Sequence, residues 1–173
     1  EVYNARIAEA DRILVFVHDD VWIDDYFLAD RVAAGLAVFD VIGVAGNRRR
    51  VPRQPAWILV DAKPTWDTAE HLSGAVAHGH DPFGAVASYG PVPAACELLD
   101  GVFLAARADT LARAGVAFDA RFDFDFYDLD FCRSARQRGL RLGTWPICLT
   151  HRSAGKAMTE RWNRGYRTYL EKW

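Results

Sequence analysis

The stretch ILVFVHDDVWIDD, residues 13–25, shapes the prediction of the fold. Its first five residues, 13–17, are all apolar, which predicts a strand buried on both faces. His18, Asp19 and Asp20 follow at once, before apolar residues resume. Charged groups are costly to bury without partners. Their position at the end of a core strand therefore indicates that they serve a ligand or a metal ion.

The composition is that of a globular protein with a core of its own. The chain has 173 residues, of which 51% are hydrophobic, and its net charge is −2. We expect one domain over residues 1–173. The charge argues against nucleic acid as a partner, and no apolar run approaches the roughly 20 residues that span a bilayer. Three widely spaced cysteines indicate free thiols in reducing surroundings, so we expect a cytoplasmic location.

Strand and helix patterns alternate along the chain. A helical pattern over 26–38 separates the first strand from a second apolar run over 38–46. This order predicts a parallel sheet with a crossover connection. Further strands are expected over 98–107 and 140–151, with a helix over 128–138 between them. We therefore predict an α/β fold with a mostly parallel central sheet flanked by helices.

Two segments depart from this pattern. Residues 47–97 hold most of the prolines and are predicted to form an irregular, substrate-facing insertion. Residues 156–173 have the period of an amphipathic helix with an aromatic stripe, which should pack on the core and could also serve a homodimer. Trp57, inside the insertion, could stack on a sugar or pack in the core. The basic run 47–50 could hold phosphate, although a solvated loop is the favoured interpretation.

Acidic residues recur where the predicted elements begin or end. The stretch 18–20 suits a divalent cation, because Mg²⁺ and Mn²⁺ take carboxylate oxygens and Mn²⁺ also accepts an imidazole. A solvated loop is the alternative there. Asp128 and Asp130 begin the predicted helix, where one could be a general base, or both could favour the helix dipole. Asp100 interrupts an apolar run and needs a partner.

Five motifs in order resemble a known family. They are HDDV, LDGVFLAAR, GVAFDARF, FYDLDFCRSARQRGLRL and LTHRSAG. With them the chain is similar, over about residues 3–155, to glycosyltransferase family 2-like proteins of the GT-A fold. It most resembles the StrF-type members named from streptomycin biosynthesis. The resemblance implies a GT-A-like, Rossmann-like sheet and a Mn²⁺ or Mg²⁺ cofactor. It also implies sugar transfer from a nucleoside-diphosphate donor, with UDP-sugar favoured, to an unknown acceptor hydroxyl.

The resemblance also suggests roles for individual residues. Asp20 and His151 would hold the metal ion. Asp128 would take the proton from the acceptor hydroxyl in an inverting transfer. The residues placed near the nucleotide or donor sugar are His18, Asp19, Asp100 and Gly101. Those placed near the acceptor or behind the base are Asp130, Tyr127 and Trp57.

Three departures from the family pattern leave other functions open. The usual N-terminal strand-helix-strand, which holds the nucleotide base, is absent from the numbering. The metal motif is His-Asp-Asp instead of Asp-x-Asp, and Tyr127 stands where the family has Glu. One alternative is therefore a catalytically degenerate domain that binds nucleotide or glycan. The other is a nucleotide-sugar hydrolase that uses the same cation.

Overall fold

A computed structural model describes residues 2–7, 12–153 and 158–173. Its helices are α1 (Val2–Ile7), α2 (Leu28–Val38), α3 (Ala108–Ala114), α4 (Tyr127–Gln137) and α5 (Glu160–Lys172). Its strands are β1 (Ile13–Val17), β2 (Val21–Ile23), β3 (Val41–Gly43), β4 (Ala45–Asn47), β5 (Leu72–His78), β6 (Ala85–Gly90), β7 (Ala94–Cys96), β8 (Leu98–Leu99), β9 (Phe103–Arg107), β10 (Leu142–Thr144) and β11 (Leu149–His151). None of the described helices has the length and apolar character needed to cross a bilayer.

The strands form two mixed sheets. The first has the order β1-β9-β3-β10-β7, and the second has the order β2-β11-β5-β4-β8, with β6 paired to β5. Within the described residues, the parallel pairings are β3 with β10 and β5 with β11. The other seven pairings are antiparallel. The prediction of a GT-A-like, mostly parallel central sheet is therefore wrong.

The error has a physical cause. Strand β1, helix α2 and strand β3 come in the expected order, with β2 between β1 and α2. In the sheet, however, β9 lies between β1 and β3 and is antiparallel to both. An apolar run indicates that a strand is buried and carries no information about its direction. Because β9 comes much later in the chain, the local pattern around β1 could not show that it would separate the two strands.

Strand β1 is also less buried than its sequence suggests. It lies at the edge of the first sheet, where the side chains of Ile13 and Val15 are each 39% exposed. Phe16 is its buried residue. The prediction that both faces are covered is therefore wrong within the described part of the chain.

Seven of the connections between consecutive described strands pass from one sheet to the other, and several of them are short. The pairs β1 and β2, β3 and β4, β8 and β9, and β10 and β11 are close in sequence, yet the members of each pair belong to different sheets. The chain has to turn where it changes sheets, and polar residues at such a junction can avoid the core. Residues 18–20 lie between β1 and β2, and residues 100–102 lie between β8 and β9. The sheet junctions thus position several candidate site residues.

The segment 47–97 is more regular than its prolines suggest. Strands β5, β6 and β7 belong to it, whereas residues 48–71 contain no named strand. Within residues 47–71 three polar side chains are buried: Asn47, Gln54 and Asp67, which are 0%, 1% and 6% exposed. The Asn47 side chain donates hydrogen bonds to the Trp57 carbonyl and to Asp67. The loop is therefore held by an internal hydrogen-bond network.

The C-terminal helix α5 confirms the predicted packing of its aromatic stripe. Thr159 caps it by accepting a 3.1 Å hydrogen bond from the Trp162 amide. Trp162 and Tyr169 are buried against the core. Residues 156 and 157 of the predicted helix lie outside the described residues.

Candidate metal site

Three potential metal ligands converge at the junction between β1 and β2. His18 and Asp20 belong to this junction, and His151 ends strand β11. Strand β11 is antiparallel to β2, with His151 opposite Val21, and this pairing joins two distant parts of the chain. One ligand atom from each of the three side chains lies within 4.8 Å of the other two. We call His18, Asp20 and His151 the ligand cluster.

The Nε2 atom of His151 lies close to both of the other side chains in the ligand cluster. It lies 3.1 Å from Asp20 Oδ1, 3.3 Å from His18 Nδ1 and 3.3 Å from Ser153 Oγ. Two imidazole nitrogens and one carboxylate oxygen suit a divalent transition-metal ion. The side chains therefore fit the cation that the sequence predicts, with His18 as an additional ligand. Ser153 was not anticipated, although it lies only two residues after His151.

The charge states favour metal binding. Burial opposes ionisation of Asp20, but a hydrogen bond from Ser153 and the charges of His151 and His18 outweigh it, so the pKa of Asp20 is lowered. Burial lowers the pKa of His151; Asp20 raises it and His18 lowers it further, with a net decrease. His151 is therefore neutral and Asp20 is charged at neutral pH. These are the protonation states in which such side chains bind metals.

Tyr127 orients one of the imidazoles. Its hydroxyl donates a 2.8 Å hydrogen bond to the Gly101 carbonyl and lies 3.0 Å from His18 Nε2. Because the hydroxyl proton is used at Gly101, the oxygen can only accept from His18 Nε2–H. The Nδ1 atom of His18 then keeps its lone pair, directed towards His151. Hydrogen bonds of this kind commonly fix the ring orientation of metal-binding histidines.

Gly101 is explained by close packing against Tyr127. A Cβ atom at position 101 would overlap the Tyr127 hydroxyl and crowd Cβ of Asp128. Only glycine lets the turn between β8 and β9 approach helix α4 so closely. The structure thus gives Gly101 a steric role, and its placement near the donor sugar, which the family resemblance implies, stays a prediction.

A cavity of about 730 Å³ lies beside the ligand cluster. His18, Asp20 and His151 line it together with Asp19, which is exposed. The aromatic side chains in its wall are Tyr3, Phe118, Phe122, Phe124 and Tyr127. Its volume lies within the usual range for small-molecule sites, and its mixture of aromatic and polar groups is also typical of them.

Asp128 lies behind Gly101 and is not among the residues that line this cavity. Its Oδ2 accepts a 3.1 Å hydrogen bond from the Gly101 amide, and its Oδ1 accepts a 2.8 Å bond from the Leu129 amide. Burial raises the pKa of Asp128 to about 7, and the negative charge of Asp100 adds to this increase. A carboxyl with this pKa can exchange protons near neutral pH.

Asp100 is held by two hydrogen-bond donors. The indole Nε1 of Trp57 donates to its Oδ2 at 2.8 Å, and the Val102 amide donates to its Oδ1 at 3.0 Å. Trp57 is only 7% exposed and packs edge-on against Tyr89, with ring centroids 5.0 Å apart. Of the two interpretations of Trp57, the structure thus supports core packing rather than stacking on a sugar. The indole serves instead to orient Asp100.

Asp130 lies on another side of α4. It is fully buried, and its Oδ1 is 2.7 Å from Lys172 Nζ and accepts a 2.8 Å hydrogen bond from Trp173 Nε1. These contacts attach the end of α5 to α4. These contacts give Asp130 a structural role, and its placement near the acceptor or behind the base stays a prediction.

His78 is a neighbour of the cluster that the sequence scarcely indicated. It ends β5 and pairs in register with His151, and the two rings are 6.0 Å apart. Its Nδ1 is buried and has no hydrogen-bond partner among the described residues. Its Nε2 lies 3.4 Å from the hydroxyl of Tyr89. The only signal in the sequence was the HGHD run, which is equally typical of a turn.

Comparisons with protein-family models and with curated proteins found no match to this chain. The geometry of the site and the five motifs are therefore the features of this chain that bear on its function.

Proposed function

We propose that this protein is a metal-dependent glycosyltransferase that moves a sugar from a nucleoside-diphosphate donor to an acceptor hydroxyl. The observation that carries the proposal is the ligand cluster of His18, Asp20 and His151 beside a cavity of about 730 Å³. The order of the five sequence motifs supports it. A UDP-sugar is the favoured donor on that resemblance.

The ligand set bears on the identity of the cation. Two of the three ligand atoms are imidazole nitrogens, whereas Mg²⁺ prefers oxygen ligands and an octahedral shell rich in water. We therefore favour Mn²⁺ over Mg²⁺. A cation held by His18, Asp20 and His151 would neutralise the charge that develops on the departing nucleoside diphosphate.

Asp128 is the proposed base. With a pKa raised to about 7, a substantial fraction of its carboxylate is ionised at neutral pH and can accept a proton from the attacking hydroxyl. The amide of Gly101 and that of Leu129 hold the two oxygens in place. Because Tyr127 and Gly101 lie between the ligand cluster and Asp128, we expect the acceptor to approach from the side of Asp100.

A second candidate is a nucleotide-sugar hydrolase. It is favoured by the finding that Asp128 does not line the cavity that contains the ligand cluster. A hydrolase needs only a water molecule as the nucleophile beside the diphosphate, and a base for a bulky acceptor is unnecessary. Free sugar released without any acceptor would identify this activity.

The first test is calorimetric titration of UDP and GDP into the metal-free protein, with and without Mn²⁺. We expect Mn²⁺-dependent binding that is lost in Asp20→Ala. The matched control is Asp30→Ala, which removes an exposed carboxylate from the first turn of α2, outside the cluster. If neither UDP nor GDP binds the folded wild type in the presence of Mn²⁺, the proposal is contradicted.

The second test distinguishes the two activities. The protein is incubated with Mn²⁺ and a UDP-sugar panel, and UDP release is measured with and without a mixture of sugar and phenol acceptors. Acceptor-dependent release supports the transferase, whereas release of free sugar without an acceptor supports the hydrolase. Nucleotide binding without release from any donor would indicate a binding domain.

A further inference from the structure

A second cleft lies away from the ligand cluster, and three of its six lining residues are arginines. Its volume is about 260 Å³, and its wall consists of Arg50, Glu97, Arg133, Arg136, Gln137 and Trp173. This volume is several times the roughly 30 Å³ that one water molecule occupies in the liquid. None of these residues is needed for the function proposed above.

The cleft carries an excess of positive charge. Arg136 is paired with Glu97 through a contact of 2.7 Å, and this pair is formally neutral. Arg50 and Arg133 have no carboxylate partner among the described residues. Two guanidinium groups therefore face one cleft without a counter-charge from the described part of the protein.

The guanidinium of Arg133 is already held in position. Its Cζ lies 4.2 Å from the ring centroid of Trp173, and its Nη1 donates a 3.2 Å hydrogen bond to the Tyr169 hydroxyl. Trp173 is in turn anchored by its indole bond to Asp130. A guanidinium fixed by stacking has most of its N–H donors left over and loses little entropy when it binds an anion.

The backbone that carries Arg50 is fixed on both sides. The Arg49 amide donates to Asn47 Oδ1 and the Val51 amide donates to Gln54 Oε1, each at 2.9 Å. Both acceptor side chains are buried. The sequence favours a solvated loop over 47–50, but this part of the loop is held by buried hydrogen bonds.

We propose that this cleft binds a phosphate group of a small anionic ligand, with Arg50 and Arg133 as its main contacts. Guanidinium groups match the geometry of phosphate oxygens and can form paired, charge-assisted hydrogen bonds with them. The nearby Trp173 ring adds an apolar wall for the remainder of the ligand. This site is independent of the proposed activity and needs no divalent cation.

The test is calorimetric titration of inorganic phosphate and of acetate into the metal-free protein. Phosphate should bind and acetate should bind at least tenfold more weakly. Arg50→Ala should weaken phosphate binding about tenfold or more, because it removes a charged hydrogen-bond donor from an exposed position where folding is unaffected. Asp20→Ala should leave phosphate binding unchanged, which separates this site from the ligand cluster.

Arg138→Ala is the matched control for Arg50→Ala. It removes an equal charge from an exposed residue at the end of α4 that does not line the cleft, and should change phosphate affinity less than twofold. Equal weakening in the Arg50 and Arg138 variants would show a general charge effect and overturn the proposal. So would acetate binding as tightly as phosphate, or the absence of phosphate binding to the wild type.

Discussion

The first turn of α4 carries two aspartates that have opposite surroundings. Asp128 faces Asp100 and the Gly101 amide, and burial together with the like charge of Asp100 raises its pKa to about 7. Asp130 faces Lys172 and Trp173, which supply a cation and an N–H donor. Side chains at positions two residues apart on an α-helix point in directions that differ by roughly 200°. The neighbouring charge thus decides which carboxyl is available for chemistry and which one ties two helices together.

The largest expected effect is a loss of sugar-transfer activity on substitution of Asp128, which substitution of Asp130 should not cause. Asp128→Asn should lower the rate of sugar transfer by about 10²- to 10⁴-fold, because amides cannot act as general bases. Binding of Mn²⁺ and UDP should be unchanged, since Asp128 is not part of the ligand cluster. Steady-state kinetics and calorimetry measure the two quantities. The Asp130→Asn variant is the control and should keep its activity per folded molecule. Full activity of the Asp128→Asn variant would contradict the assignment of Asp128 as the base.

Stability should show the reverse pattern. Asp130→Asn should lower the free energy of unfolding by about 2 to 3 kcal/mol, because it removes one of the two carboxylates that contact the partly buried ammonium of Lys172, which keeps Asp119 as its other partner. Urea unfolding followed by tryptophan fluorescence measures the change. Asp30→Asn, on an exposed surface of α2, provides the control and should be nearly neutral. Equal stability of the Asp130 variant and the wild type would show that the attachment of α5 to α4 contributes little.

Tyr127, one residue before Asp128, allows a test of the ligand cluster itself. Tyr127→Phe removes the hydroxyl that contacts His18 Nε2 and that donates to the Gly101 carbonyl. We expect the affinity for Mn²⁺ to fall about 10- to 100-fold, as is usual when a hydrogen bond that orients a ligand histidine is lost. Titration of Mn²⁺ followed by electron paramagnetic resonance measures it. Tyr26→Phe, at a 93% exposed residue, is the control.

The pH dependence of stability gives a smaller, signed effect. The pKa of Asp128 is raised from 3.8 to about 7 in the folded protein, so the folded state holds a proton that the unfolded state has lost between these values. The stability that this proton provides is complete below about pH 4 and is lost as the pH rises through 7. Between pH 5 and pH 8 we expect the wild type to lose about 2 kcal/mol relative to Asp128→Asn. If the free energies of unfolding of the two metal-free proteins change equally with pH, the pKa of Asp128 is not raised by folding.

Some of the site could be predicted from sequence because its residues stand at changes in hydrophobic pattern. Residues 18–20 follow an apolar run and His151 ends another, and the structure brings His18, Asp20 and His151 together. The helix at 128–138 is also confirmed, since its 3.6-residue period is a local property. Trp57 and His78 could not be placed in this way. Their partners, Asp100 and His151, are distant in sequence, and nothing local identifies them.

The sequence by itself determined the helices over 28–38 and 127–137 and the positions where polar groups interrupt the apolar runs. These properties depend on the neighbours of each residue along the chain. Only the tertiary structure decided that β9 separates β1 from β3 and that the described strands pass repeatedly from one sheet to the other. It also decided that Asp128 meets Asp100 while Asp130 meets Lys172. Strand direction and electrostatic partners depend on contacts between distant residues, which hydrophobic patterns do not encode.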